Sequence, residues 1–231
     1  MCLLIPAAEV TRTNIFARDR GDGWQDLAYA MRLDAPTDVA MVLPLPTDPR
    51  AGAAAVRFHD LSDSPDLFDR LEDCFEVTQL LSVDSLSLPV VEVGSFDATF
   101  VPTADDFRAV DPRFRLPPAV WRAWPAMRGM SFAVFALRPG EHDVHPMGLS
   151  FRRADPTTLY FPTLHLHDGV VHEEAHFDHR LYAQSRTDRP ALQRWRRSDG
   201  PLGAVGPLVD PDAPGWRLEL YGTLPNTDVV I

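Results

Sequence analysis

Cysteine stands second in this chain, directly after an initiator methionine that is trimmed when a small residue follows. A mature chain beginning at Cys2 carries a thiol and a free α-amino group on one residue. An amine titrating near ~8 can accept the thiol proton, so the pair is a self-contained nucleophile and base for opening an amide bond. Arg18 and Asp19 close the run Asn14-Ile15-Phe16-Ala17-Arg18-Asp19. The expectation from Cys2 itself is nucleophilic attack on a small-molecule or peptide substrate. The same residues also read as the first core position of a strand and a strand-end surface charge, because free cysteine is among the most buried residue types.

A second concentration of chemistry lies between residues 165 and 179. Five of the eight histidines fall there, together with Asp168, Glu173, Glu174 and Asp178. His165 and His167 share a face in a strand, where side chains repeat every two residues. His172-Glu173-Glu174-Ala175-His176 matches the H-E-x-x-H pattern, which on a helix sets two imidazoles on one zinc ion with the glutamate as base. Asp168-Gly169 is a hairpin signal three residues earlier, so strand geometry over His172–His176 is expected instead. A looser metal site, with Zn as the candidate ion, would draw on His165, His167, His172, His176, Asp178 and His179. The alternative is a hairpin whose histidines bond to carboxylates and titrate with pH. If the Cys2 strand and the run ending at His167 share a sheet, the thiol and an imidazole meet, either to activate the sulfur or to bind metal.

Two resemblances follow from these residues. The Met-Cys start with Asn14 to Arg18 resembles the cysteine N-terminal-nucleophile hydrolases of the bile-salt and penicillin amidase-like group, which implies that Arg18 lowers the thiol pKa and orients the carbonyl with Asp19 nearby, so that the catalytic residues expected are Cys2, Arg18 and Asp19. Farther on, Asp38–Pro46, the stretch Val93-Gly94-Ser95-Phe96-Asp97, and Phe132–Leu137 with His145–Leu149 resemble an uncharacterised bacterial family of unknown function. That resemblance spans roughly residues 35–165 and implies a single β-rich domain, with no activity attached.

Composition removes several other chemistries. All 22 basic residues are arginine, so no lysine exists for a Schiff base, a pyridoxal phosphate or a P-loop. A net charge of -11 argues against nucleic acid and anionic membrane as partners. Two cysteines are too few for a disulfide framework and fit a reducing compartment. Glu9 and Arg12 interrupt any signal-peptide core, and no stretch reaches the ~18 apolar residues of a membrane span, so a cytoplasmic location is expected.

The elements that must position these groups are short. Cys2–Ile5, Thr13–Arg18, Asp26–Leu33 and Val39–Leu43 read as strands, with turns at Gly21–Gly23 and Asp34–Thr37. Pro44 and Pro46 are expected to end the fourth. Helical spacing of Leu67, Phe68, Leu71 and Phe75 follows Ser64-Pro65, and further short helices open at Thr103 and at Pro117-Pro118. Val90–Val93, Phe96–Val101, Met130–Leu137, Met147–Arg152, Thr157–His167 and Trp216–Tyr221 read as extended, and Pro139-Gly140 is expected to turn the chain so that Met147–Arg152 pairs back on Met130–Leu137. Arg189–Arg197 reads as a short basic helix and Leu202–Pro214 as a loop. Together they predict a β-rich α+β fold over residues 1–231 as a single domain, with mixed or antiparallel sheets and a few short helices. Three functions fit it: an amide hydrolase built on Cys2, a metal-binding protein or zinc-dependent hydrolase built on the histidines, and a non-catalytic binding or assembly domain.

Overall fold

The structure is a computed structural model that describes residues 2–76 and 96–231. In chain order its strands are β1 (Cys2–Ile5), β2 (Glu9–Asp19), β3 (Trp24–Ala35), β4 (Val39–Leu45), β5 (Val56–His59), β6 (Asp97–Val101) and β7 (Ser131–Leu137). They continue as β8 (Gly140–Arg152), β9 (Tyr160–Phe161), β10 (His165–Leu166), β11 (Glu174–Gln184), β12 (Arg196–Pro201), β13 (Pro214–Pro225) and β14 (Val229–Val230). Two short helices, α1 (Leu67–Asp73) and α2 (Pro118–Ala123), and several 3-10 turns lie between them. The chain is a β-rich α+β fold.

A five-stranded sheet has the order β10-β1-β4-β7-β6, and a seven-stranded sheet the order β12-β13-β11-β2-β3-β8-β5. Both are mixed, because β1 runs parallel to β10 and β2 runs parallel to β11. The period-two alternation of strands explains the layering. Leu4, Met41, Leu43 and Phe135 from the first sheet pack against Ile15, Leu27, Tyr29 and Leu149 from the second. The opposite face of the first sheet, with Leu3, Val42 and Phe132, is covered by α2 and the 3-10 turns through Phe107, Val120 and Met127. The opposite face of the second, with Phe16, Ala28 and Tyr182, is covered by α1 and by the 202–209 loop. Both faces of β4 are therefore buried, which is why Val39–Leu45 is apolar throughout. Each such large side chain, fully buried, contributes about 1.5–3 kcal/mol.

Several expectations need correction. β4 runs through Pro44 to Leu45, because β1 pairs only with Ala40, Met41 and Val42, leaving β7 as the one strand neighbour of Pro44. Pro139-Gly140 does not return the chain beside β7. It carries it into the other sheet, where β8 pairs with β3 and β5. The extended run 157–167 is broken into β9 and β10 around Pro162. Asp168-Gly169 forms no hairpin, since β11 pairs with β13 and β2, not with β10. Arg189–Arg197 is not one helix. A 3-10 turn over Pro190–Arg194 gives way to β12. The expected strand at Val90–Val93 lies outside the described residues.

Candidate functional site

Cys2 is the first residue of β1, in register with His165 of β10, and its N–H donates to the carbonyl of Leu164 at 2.5 Å. The two strands thus share a sheet, as required for the thiol and the histidines to meet. The Cys2 side chain points into the core between the sheets and is 1% exposed. It faces the Tyr29 hydroxyl, which in turn faces Thr13, yet neither hydroxyl completes a hydrogen bond of ordinary geometry. Burial pushes the thiol up to about 11, only partly offset by Tyr29. At neutral pH the sulfur is therefore protonated, whereas nucleophilic attack needs the thiolate.

The structure does not bring Arg18 to Cys2. The Arg18 guanidinium is held by Asp26 at 3.0 Å, at the other end of β2. Asp19, beside it, points into the protein and joins two arginines. Its Oδ1 accepts from Arg153 Nη2 at 2.7 Å and from the Gly21 N–H at 2.9 Å, while its Oδ2 accepts from Arg189 Nη2 at 2.8 Å. Burial alone would raise this carboxyl. The Gly21 N–H and the two guanidinium groups outweigh it and hold the pKa below the usual range. Arg189 also donates to the carbonyls of Thr157 and Ile231, so the group ties β2 to the chain's last strand. The group acts as a clamp between these segments.

The six candidate ligands divide by the alternation of β11. His176 and Asp178 lie on its outer face, and His179 is buried on the inner one. His172 sits in the loop before β11 and pairs with Asp168 at 2.8 Å, so the helix that H-E-x-x-H needs is absent here. Asp178 anchors the backbone: it accepts from the N–H of Arg12, whose positive φ of 52° marks the bulge in β2. His165, His167 and His179 do come together. The His165 ring centre is 4.7 Å from that of His167 and 4.5 Å from that of His179, with Phe177 at 4.4 Å. His165 Nε2, His167 Nε2 and both nitrogens of His179 are buried without a hydrogen bond. His179 Nδ1 is 3.5 Å from Asp178, a contact that does not amount to a hydrogen bond. Burial pushes His165 down to about 2 and His167 down to about 4, with like-charge repulsion among the rings adding to it. Burial also lowers His179, outweighing Asp178. These imidazoles are neutral. Among the described residues, no three His, Cys, Asp or Glu side chains stand as a metal-binding group.

Asn226 completes this corner. Its Oδ1 accepts from His165 N–H at 2.8 Å, and its Nδ2 donates to the carbonyls of His165 and His172. A side chain thus takes the place of a further strand along β10.

One constellation had no signal in the sequence. Ser150 on β8 donates to Asp26 on β3 at 2.5 Å and bonds His59 on β5 at 2.6 Å. The three residue types are those of a serine hydrolase, but serine sits in the middle and is fully buried. A triad needs histidine between serine and carboxylate, with the hydroxyl open to substrate. The three positions lie on separate strands with wide spacing, so only the sheet pairing brings them together.

No family model and no curated protein matches the sequence. The fold does match solved structures. The crystal structure of baculovirus P35 aligns over 99% of this chain and 98% of its own, with 12% identity and a TM-score of 0.54. P35 in the crystal structure of the caspase-8/P35 complex aligns over 95% of each chain, with 10% identity and a TM-score of 0.50. This chain therefore has a fold similar to that of P35 from end to end. No helix among the described residues is long and apolar enough to cross a membrane.

Proposed function

We propose that this chain is a binding protein whose partner is a cysteine protease of the caspase class. The observation that carries the reading is the end-to-end correspondence with P35, one structure of which is a complex with caspase-8. Analogy of fold alone leaves function to the sites, and the sites support binding over catalysis. The Cys2 thiol is buried and protonated, Asp19 is committed to two arginines, and Ser150 is sealed in the core. Active caspase-8 incubated with the purified chain should lose activity on a fluorogenic aspartate peptide in proportion to the chain added. Full activity at molar excess of the chain would contradict the reading.

The hydrolase reading keeps one observation in its favour, the register of Cys2 with His165. It requires the thiol to be open, and alkylation separates the two readings. Cys74 is half-buried, with its thiol bonded to the carbonyls of Arg70 and Leu202. In the binding protein, iodoacetamide should label Cys74 first and Cys2 only on unfolding, as peptide mass mapping would record. Faster labelling of Cys2, in protein lacking Met1, would restore the hydrolase.

A further inference from the structure

Arginine accumulates at one edge of the seven-stranded sheet. Between Ser185 and Asp199 stand five arginines against two aspartates, in a chain of net charge -11. Arg189 is committed to Asp19, and Arg186 pairs with Asp210 at 3.2 Å. Arg194, Arg196 and Arg197 are exposed, and among the described residues none has a carboxylate partner. Arg196 stands directly opposite Arg217, whose own partners are Glu72 and Glu219. Like charges directly opposite each other destabilise a strand pair, so the fold holds this charge at a local cost.

The same edge carries a groove. A cavity of about 530 Å³ lies between β12 and the loop at 185–189, floored by Leu192, Trp195 and Trp216. The Arg197 guanidinium carbon sits 5.9 Å from the Trp216 ring centre. β12 has a strand neighbour on one side only, and even there it pairs with β13 at just Arg196, Arg197 and Pro201. Its outer edge is open to another strand among the described residues.

We propose that this groove and edge bind an extended acidic segment of a partner protein. The segment's backbone adds to β12, a recurring use of a free edge in peptide recognition. Alternate side chains of an extended peptide point to opposite sides. Arg196 and Arg197 are consecutive in β12 and face opposite ways, so carboxylates on one side meet Arg196 in charge-assisted hydrogen bonds, while on the other side apolar groups lie on Trp216 beside Arg197, its cross-strand partner. The indole stacking of Arg197 leaves its N–H groups free at the rim. This inference does not rest on the protease reading, and its test contains no protease.

The probe is a short fluorescein-labelled peptide of alternating glutamate and valine, followed by anisotropy. The chain should bind it, and affinity should fall as sodium chloride is raised. The double variant Arg196→Glu with Arg197→Glu should bind about tenfold more weakly or worse. Both positions are exposed, and a circular dichroism melt checks that the variant is folded. Equal binding of a lysine–valine peptide, unchanged affinity in the folded variant, or a salt-independent affinity would each overturn the proposal. Displacement of the peptide by an equal concentration of inorganic phosphate would also overturn it, since the site would then recognise any anion.

Discussion

Lowering the pH from 6.5 to 5 should remove about 3–5 kcal/mol of stability, a large share of the roughly 5–15 kcal/mol typical of a domain. The cause is the buried group of His165, His167 and His179. In the unfolded chain each imidazole takes a proton near ~6.5. In the fold, His165 is held down to about 2 and His167 to about 4, and His179 is lowered as well. The unfolded state therefore binds more protons through this range, so stability declines as pH falls. Each group contributes at most ~1.4 kcal/mol per pH unit. Because each unfolded imidazole is already half-protonated at pH 6.5, three groups over this interval give ~5 kcal/mol as an upper bound, reduced by whatever relief Asp178 provides. Urea unfolding at closely spaced pH values measures the slope. His167→Phe should lower it by about a third. A flat profile between pH 6.5 and 5 would mean that these rings are charged or solvated in the native protein.

Asp19→Ala should cost about 3–5 kcal/mol, the usual penalty for removing one partner of a buried ion pair. Asp19, Arg153 and Arg189 are 2%, 5% and 7% exposed. Without the carboxylate, two buried guanidinium groups face each other with only backbone carbonyls and the Ser185 hydroxyl to bond. For a chain of this size the melting temperature should drop by roughly 6–20 °C. The wild-type contribution also depends on pH in a defined sense. The folded pKa lies below the unfolded one, so the stabilisation is present above about pH 4 and disappears as pH falls through the folded value. Asp19→Asn should retain part of the hydrogen bonding and lose less. A melting temperature unchanged by Asp19→Ala would remove the clamp from the account.

Much of the architecture was legible because short apolar runs bounded by turn residues survive in the sequence. Cys2–Ile5, Asp26–Leu33, Val39–Leu43 and Met130–Leu137 all became strands, and the 64–75 pattern became α1, whose apolar face covers Phe16 and Tyr182. Pairing was not legible. Which sheet receives β8, or that β12 follows a 3-10 turn, depends on contacts between residues distant in sequence. The same limit governed the sites. His165 and His167 were placed on one face by local spacing, and they do share it. His179 joined them only because β11 turns that residue inward. Asp19 read as a partner of Cys2 from its place beside Arg18, yet strand alternation points those neighbours to opposite sides, Arg18 towards Asp26 and Asp19 towards Arg153 and Arg189. Arg153 and Arg189 carried no signal at all, because their role exists only where distant segments meet.

The two leading functions require opposite things of one strand. A Cys2 hydrolase needs β1 to expose its first residue, whereas a protease-binding scaffold needs β1 seated between β10 and β4, with its surface engaged elsewhere. The most direct measurement of the scaffold claim is native mass spectrometry of the purified chain mixed with active caspase-8 at micromolar concentrations. A complex of defined stoichiometry, whose abundance rises with the chain as protease activity falls, is the predicted result. Free chain and free, fully active protease throughout the titration would contradict it.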